Sequence, residues 1–131
     1  MIYEYKIQTG KRGFYSITEE VKEAVAQSGA REGICVVFCP HTTAAITINE
    51  NCDPDVVHDL TVASDTSFPD KRDFRHMEGN SAAHMKSSVF GASEVFIIEN
   101  GKLVFGTWQG IYFAEFDGPR TRHYYVKIIA G

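Results

Sequence analysis

No stretch of this 131-residue chain is apolar for the roughly 20 residues that a membrane-crossing helix needs. The opening residues, MIYEYKIQTGKRG, lack both a basic leader and an uninterrupted apolar run, so no signal peptide is expected. Cysteine is sparse and odd in number: Cys35, Cys39 and Cys52. No CxxC pair occurs, which argues against a zinc knuckle or a disulfide framework. The thiols are read as small apolar side chains of a protein in the reducing cytoplasm. Basic residues are outnumbered, 13 Lys and Arg against 17 Asp and Glu, with a net charge of −4. Such a surface is poorly suited to releasing counterions from a phosphate backbone, so no nucleic-acid partner is expected, and no membrane partner either. The exception to this balance is local, at Arg120-Thr121-Arg122-His123. There is no internal repeat, no low-complexity tract and no Pro/Gly/Ser-rich linker, so residues 1–131 are expected to form a single domain. Phosphate loop, dinucleotide fingerprint, nucleophile elbow and HExxH are all missing, and Ser87-Ser88 has no flanking pattern of a catalytic serine.

What remains is punctuated by turn residues and alternates well. Ile2 to Thr9, Ile34 to Phe38 and Ala45 to Asn49 read as strands, the second bounded by Gly33 and Pro40. Thr18 is placed as the cap of a helix running through Val21, Ala24 and Val25 to Ser28-Gly29. Asp53-Pro54 opens another helix, an acidic cap followed by proline at the first helical position, with Val56, Val57 and Leu60 on one face. Thr66 to Gly79 is polar and loop-rich, and Ser81 is placed as the cap of a helix ending at Gly91. Glu94 to Ile98 and Leu103 to Phe105 flank Asn100-Gly101 as a hairpin. Ile111 to Phe116 and His123 to Ile129 flank Asp117-Gly118-Pro119 as a second hairpin. Many strands and a few helices without βαβ alternation predict an α+β fold, a β-sandwich-like core of mostly antiparallel strands with helices on one side or end.

Three groups of side chains carry the chemistry. His41 at a strand start, followed by two threonines placed to fix its ring, His76 in a loop and His84 in a short helix are candidate metal ligands. Convergence of the three would leave a fourth position open on zinc. Asn49, Asn51, Asp53 and Asp59 offer oxygen atoms for Mg²⁺ or for a polar substrate, set against simple helix capping by Asp53; His58 beside Asp59 adds an orienting pair. In GTWQGIYFAEFDGPRTR, Trp108 reads as a core anchor, Gln109 and Glu115 fall on one strand face, and Arg120 and Arg122 suit phosphate or carboxylate.

HTTAAITINENCDPDVVHDL, HMEGNSAAHMKSS and NGKLVFGTWQGIYFAEFDGPRTR, in that order, resemble the YjbQ family over roughly Gly13 to Gly131. The resemblance implies an α+β fold with a sandwich core, assembly as a homotrimer, and a weak thiamine-phosphate synthase activity. That reaction joins a pyrimidine diphosphate to a thiazole phosphate and releases pyrophosphate. Carried onto this chain, it points to His41, Asn51, Asp53, Asp59, His76, His84, Gln109, Glu115 and Arg120 as the polar positions of the matching motifs. A proline common after the position of Ser93 in that family is missing from Val95-Phe96-Ile97-Ile98. Three readings follow. The first is a transferase acting on a small phosphorylated substrate, with Arg120, Arg122 and a divalent metal (zinc or magnesium) receiving the leaving pyrophosphate. The second is a non-catalytic trimeric binder of a phosphorylated metabolite. The third is a zinc hydrolase, with Glu78 or Asp53 as general base. Polar strand faces also permit a site shared between subunits.

Overall fold

A computed structural model describes all residues 1–131. The chain runs β1 (Ile2–Gln8), β2 (Gly13–Ser16), α1 (Thr18–Ser28), β3 (Gly33–Phe38), β4 (Ala44–Glu50), α2 (Pro54–Ser67), α3 (Ser81–Phe90), β5 (Ser93–Glu99), β6 (Lys102–Leu103), β7 (Gln109–Glu115) and β8 (Thr121–Ala130). One sheet has the order β1-β8-β3-β5-β6 and the other β2-β7-β4, and every pairing is antiparallel. The α+β sandwich expected from the alternation is therefore present.

The alternation sets the core directly. Cys35 and Val37 of β3, Phe96 and Ile98 of β5, and Tyr124, Val126 and Ile128 of β8 point to one side of the five-stranded sheet. They meet Ile46, Ile111 and Phe113 of the smaller sheet, with Val21, Ala24 and Val25 of α1 closing the same cluster. Burial of this kind contributes about 25 cal/mol per Å² of apolar surface and is the main force holding the layers together. Cys35 and Cys39 are packed as small apolar groups, and burial pushes their thiols up to about 12 and about 11.

Several local expectations are refined. Ile17, not Thr18, is the residue before α1; the Thr18 hydroxyl instead accepts the backbone N–H of Ile111 at 2.9 Å, tying helix to sheet. Asp53 does cap α2, its Oδ1 accepting the Asp55 N–H at 2.9 Å. Asn80 occupies the position before α3, and the Ala82 N–H is met by Asp70 Oδ1 at 3.0 Å. The Asn100-Gly101 turn has both residues left-handed, φ 53° and 78°, as a tight two-residue hairpin demands. Its second strand, β6, is only two residues long.

The second expected hairpin is wrong. β7 lies between β2 and β4, and β8 between β1 and β3, so each is central in a different sheet. Both edges of both strands are already paired, and Asp117-Gly118-Pro119 carries the chain from one layer to the other. Trp108 is likewise no core anchor: it is 58% exposed, just before β7.

α2 buries little, only Ser64 fully, and is held by charge. Lys86 of α3, itself 2% exposed, pairs with Asp65 of α2, and Arg12 reaches the same carboxylate at 3.5 Å. No helix is long and apolar enough to cross a membrane.

Candidate functional site

The loop after β3, the start of α3 with the loop before it, and the β7–β8 crossover meet at one end of the sandwich. They enclose an open depression of about 360 Å³ bordered by ten residues, none hydrophobic. His41, Thr42 and Thr43 come from the loop between β3 and β4; His76, Glu78, Asn80 and His84 from the other segment; Arg120 from the crossover and Arg122 from the start of β8. The three histidines, both arginines and Glu78 are thus brought together.

Beneath the depression lies a buried ion pair. Glu115 is completely buried and Arg122 is 4% exposed. Arg122 Nε donates to Glu115 Oε1 at 2.8 Å and Nη2 to Oε2 at 2.5 Å, while Nη2 also reaches Thr43 Oγ1 at 2.8 Å. Thr9 Oγ1 donates to Glu115 Oε1 at 2.5 Å, and the Asp117 N–H donates to Oε2 at 2.9 Å. Burial alone pushes the Glu115 carboxyl up, but these donors and the arginine charge outweigh it and hold it below the usual carboxylate range. Glu115 is therefore sealed off from any ligand and acts on the site only by fixing Arg122. Arg122 Nη1 is left with no hydrogen bond to the protein.

Arg120 is organised by Asp117: Nε donates to the Asp117 carbonyl at 2.8 Å and Nη2 to Oδ2 at 3.0 Å. Asn80 Nδ2 donates to the same Oδ2 at 2.8 Å. Burial pushes the Asp117 carboxyl up, yet the Asn80 and Arg120 bonds bring it below its ordinary value. Asn80 Oδ1 is the one buried side-chain polar atom without a partner.

The His41 ring is held by backbone, not by the threonines that follow it. Its Nε2 accepts the His123 N–H at 3.0 Å and lies 3.1 Å from the His123 carbonyl oxygen. Nε2 thus faces both a backbone donor and a backbone acceptor of the same residue, and the neutral ring meets one of them in either tautomer. Burial and the nearby Arg122 charge hold His41 below the usual histidine value, favouring that neutral form. His76 and His84 stand edge to face with ring centroids 5.3 Å apart, and Glu78 Oε1 is 4.0 Å from His76 Nε2.

The expected three-histidine metal centre does not fit this geometry. No group of three His, Cys, Asp or Glu side chains is arranged to hold an ion.

Four expected residues lie elsewhere. Asn51 and Asp53 border a separate depression with Phe14 and Tyr112. β4, with seven residues, separates them from His41 by about 20 Å at the usual rise of a strand. Asp59 is exposed on α2 and pairs with His58 at 3.0 Å. Gln109 is exposed at the start of β7, its Oε1 accepting the Gly106 N–H. Thr9 and Asp117 belong to the support and have no role in the sequence pattern, while Thr43, expected to fix the His41 ring, bonds Arg122 instead. The polar turn Asp117-Gly118-Pro119 beside two arginines was the available signal for Asp117.

Residues 3–131 match the family described as UPF0047 protein YjbQ-like. The chain belongs to the YjbQ/UPF0047 family. YugU of Bacillus subtilis is 53% identical, the match covering 98% of this chain and 99% of that protein. A UPF0047 protein of Methanocaldococcus jannaschii is 52% identical over 98% and 94%. Among solved structures, a YjbQ/UPF0047 protein of Clostridium acetobutylicum superposes with a TM-score of 0.95 at 58% identity, covering 97% and 99% of the two chains. A YbjQ-like protein of Sulfolobus solfataricus gives 0.95 at 34% identity, covering 100% and 97%. The family's sandwich is thus kept at much lower identity, and this YjbQ-family chain carries its polar depression on that frame.

Proposed function

We propose that this YjbQ-family protein binds a small phosphorylated substrate in the polar depression and acts as a thiamine-phosphate synthase-type transferase. The observation that carries the reading is a pre-set cationic wall: Arg122, fixed from below by Glu115 and with Nη1 free of protein partners, stands beside His41 in the lining of the depression. Arg120, oriented by Asp117, adds a second guanidinium. Donors already held in place need no reorganisation when charge develops, which is where they contribute most to rate.

In the transfer, the bond between the pyrimidine methylene carbon and the diphosphate oxygen breaks. Its electron pair leaves with pyrophosphate. The thiazole nitrogen lone pair forms the new bond to carbon. No protein nucleophile is consumed, in keeping with a site that offers none. Arg120 and Arg122 meet the leaving diphosphate, and His76 and His84 orient the second substrate. The chain's own residues supply this arrangement without a step routed through a metal.

The protein is further proposed to act as a homotrimer. The outer face of the five-stranded sheet is apolar: cross-strand partners Ile34, Ile97 and Ile129 form one row, and Val36 and Val95 lie in the next. Ile97 is 61% exposed and Val95 58%. A contiguous apolar face of this kind marks an interface. His123 borders that face and stacks on His41 at 6.4 Å, so a neighbouring subunit would stand beside the depression.

A non-catalytic binder of phosphorylated metabolites is the second reading, favoured by the fact that each arginine is already neutralised by a carboxylate. Pyrophosphate release with both substrates separates the two. The transferase reading expects turnover that falls at least about tenfold in His84→Ala and Arg120→Ala. Activity unchanged in both variants would refute it, and saturable ligand binding without any product would favour the binder.

A further inference from the structure

Away from the polar depression, α1 and the β5–β6 hairpin leave a second concavity of about 470 Å³. It exists because β6 stops after two residues, so the sheet ends before it has covered the flank of α1. The floor is apolar. Val25 is buried, and Leu103 and Phe105 pack against the main core while remaining partly open. Phe105 is fixed edge-on to Phe96 at 5.6 Å. The rim is cationic: Lys22 stands on the helix side and Lys102 on the strand side. Arg31 lies beside Gly101, the next residue round the rim. Lys102 makes no ion pair, and the Lys22 partner, Glu19, is a distant and exposed one at 3.8 Å. No acidic residue borders the cavity.

We propose that this concavity is a second binding site, for a small carboxylate with an apolar chain. Its volume is within the range of about 300–1,000 Å³ typical of small-molecule sites. The chemistry is complementary at both ends of such a ligand. An alkyl chain placed on Val25, Leu103 and Phe105 removes apolar surface from water, at about 0.8 kcal/mol per buried methylene. Its carboxylate then lies between the two ammonium groups that straddle the opening. The polar depression offers no apolar floor and has no part in this binding, so the two sites stand or fall separately.

Octanoate is the probe, followed by ligand-detected NMR or calorimetry on the intact protein, with octylammonium as the charge-reversed control. Octanoate is expected to bind saturably at one per chain, and octylammonium at least about tenfold more weakly. Ala26 is an exposed helix residue on the wall, so Ala26→Trp fills the space without disturbing the core and is expected to abolish octanoate binding. Lys22→Glu with Lys102→Glu is expected to erase the preference for octanoate over octylammonium. Absent saturable binding of octanoate, equal binding of octylammonium, or undiminished binding in Ala26→Trp would each overturn the proposal. The last result would place the alkyl chain on the outer sheet face instead.

Discussion

At one end of the β4–β7 ladder Ala44 pairs with Glu115; at the other Glu50 pairs with Gln109. Both ends are rich in amides, carboxylates and aromatic rings, but they are built differently. At the Glu115 end the supporting Glu115–Arg122 pair is buried and multiply bonded, and the arginines and histidines around it line a common depression. At the Gln109 end the polar groups are exposed and serve the backbone: Asp53 caps a helix, Gln109 closes a turn, and Asn51 lies over Gly110. A side chain at Gly110 would have its Cβ within 2.6 Å of the Asn51 amide, which is why glycine is required there. Function is read from what the polar groups have left to offer once the fold has used them.

The largest break in this comparison should come from Glu115→Ala. It strands a buried guanidinium, and urea unfolding should show a loss of about 3–5 kcal/mol. Glu50→Ala, at the far end of the same ladder, should cost no more than about 0.5 kcal/mol. Equal losses would erase the distinction between the two ends.

The next effect is the response to pH. Glu115 and Asp117 have carboxyls held below their ordinary values, so their stabilisation is present above the usual carboxylate range and is lost as pH falls through their folded values. His41 is also held low. The unfolded chain takes up that proton below about pH 6.5 while the folded chain does not. Stability should therefore already decline as pH falls from that value. Melting temperature measured against pH should show both limbs in the parent protein. Glu115→Gln should flatten the more acidic limb and leave the histidine limb in place.

How far these ends were legible in the sequence follows from what alternation encodes. Period two told which residues of each strand face inward, and the sandwich core followed. It could not tell which sheet a strand joins, so β7 and β8 were paired across a turn that in fact crosses between layers. His41, His76, His84, Arg120 and Arg122 were picked for their chemistry, and tertiary contacts bring them to one depression. Asn51, Asp53 and Gln109 were picked for the same reason, but lie a strand's length away. Thr9 was invisible because its role, bonding a carboxylate 106 positions later, leaves no local pattern. Trp108 reads as a core anchor in the sequence, whereas its position in the loop before β7 leaves it in solvent.

Smaller effects sharpen the far end. Asp53→Ala removes the cap of α2 and should lower stability by about 1 kcal/mol, read from the shift of the urea midpoint. Trp108→Ala should change it by no more than about 0.5 kcal/mol, against the roughly 3–5 kcal/mol of a buried tryptophan. A large loss would mean that this residue is covered in the assembled protein.

The most direct test is a pyrophosphate titration of the labelled protein followed by backbone and histidine-ring NMR. The predicted result is saturable shifts concentrated at Thr42, His76, His84 and Arg120, weakened by Arg120→Ala. Shifts confined to Asn51, Asp53 and Trp108, or no saturable shifts at all, would contradict the assignment of the site to the Glu115 end.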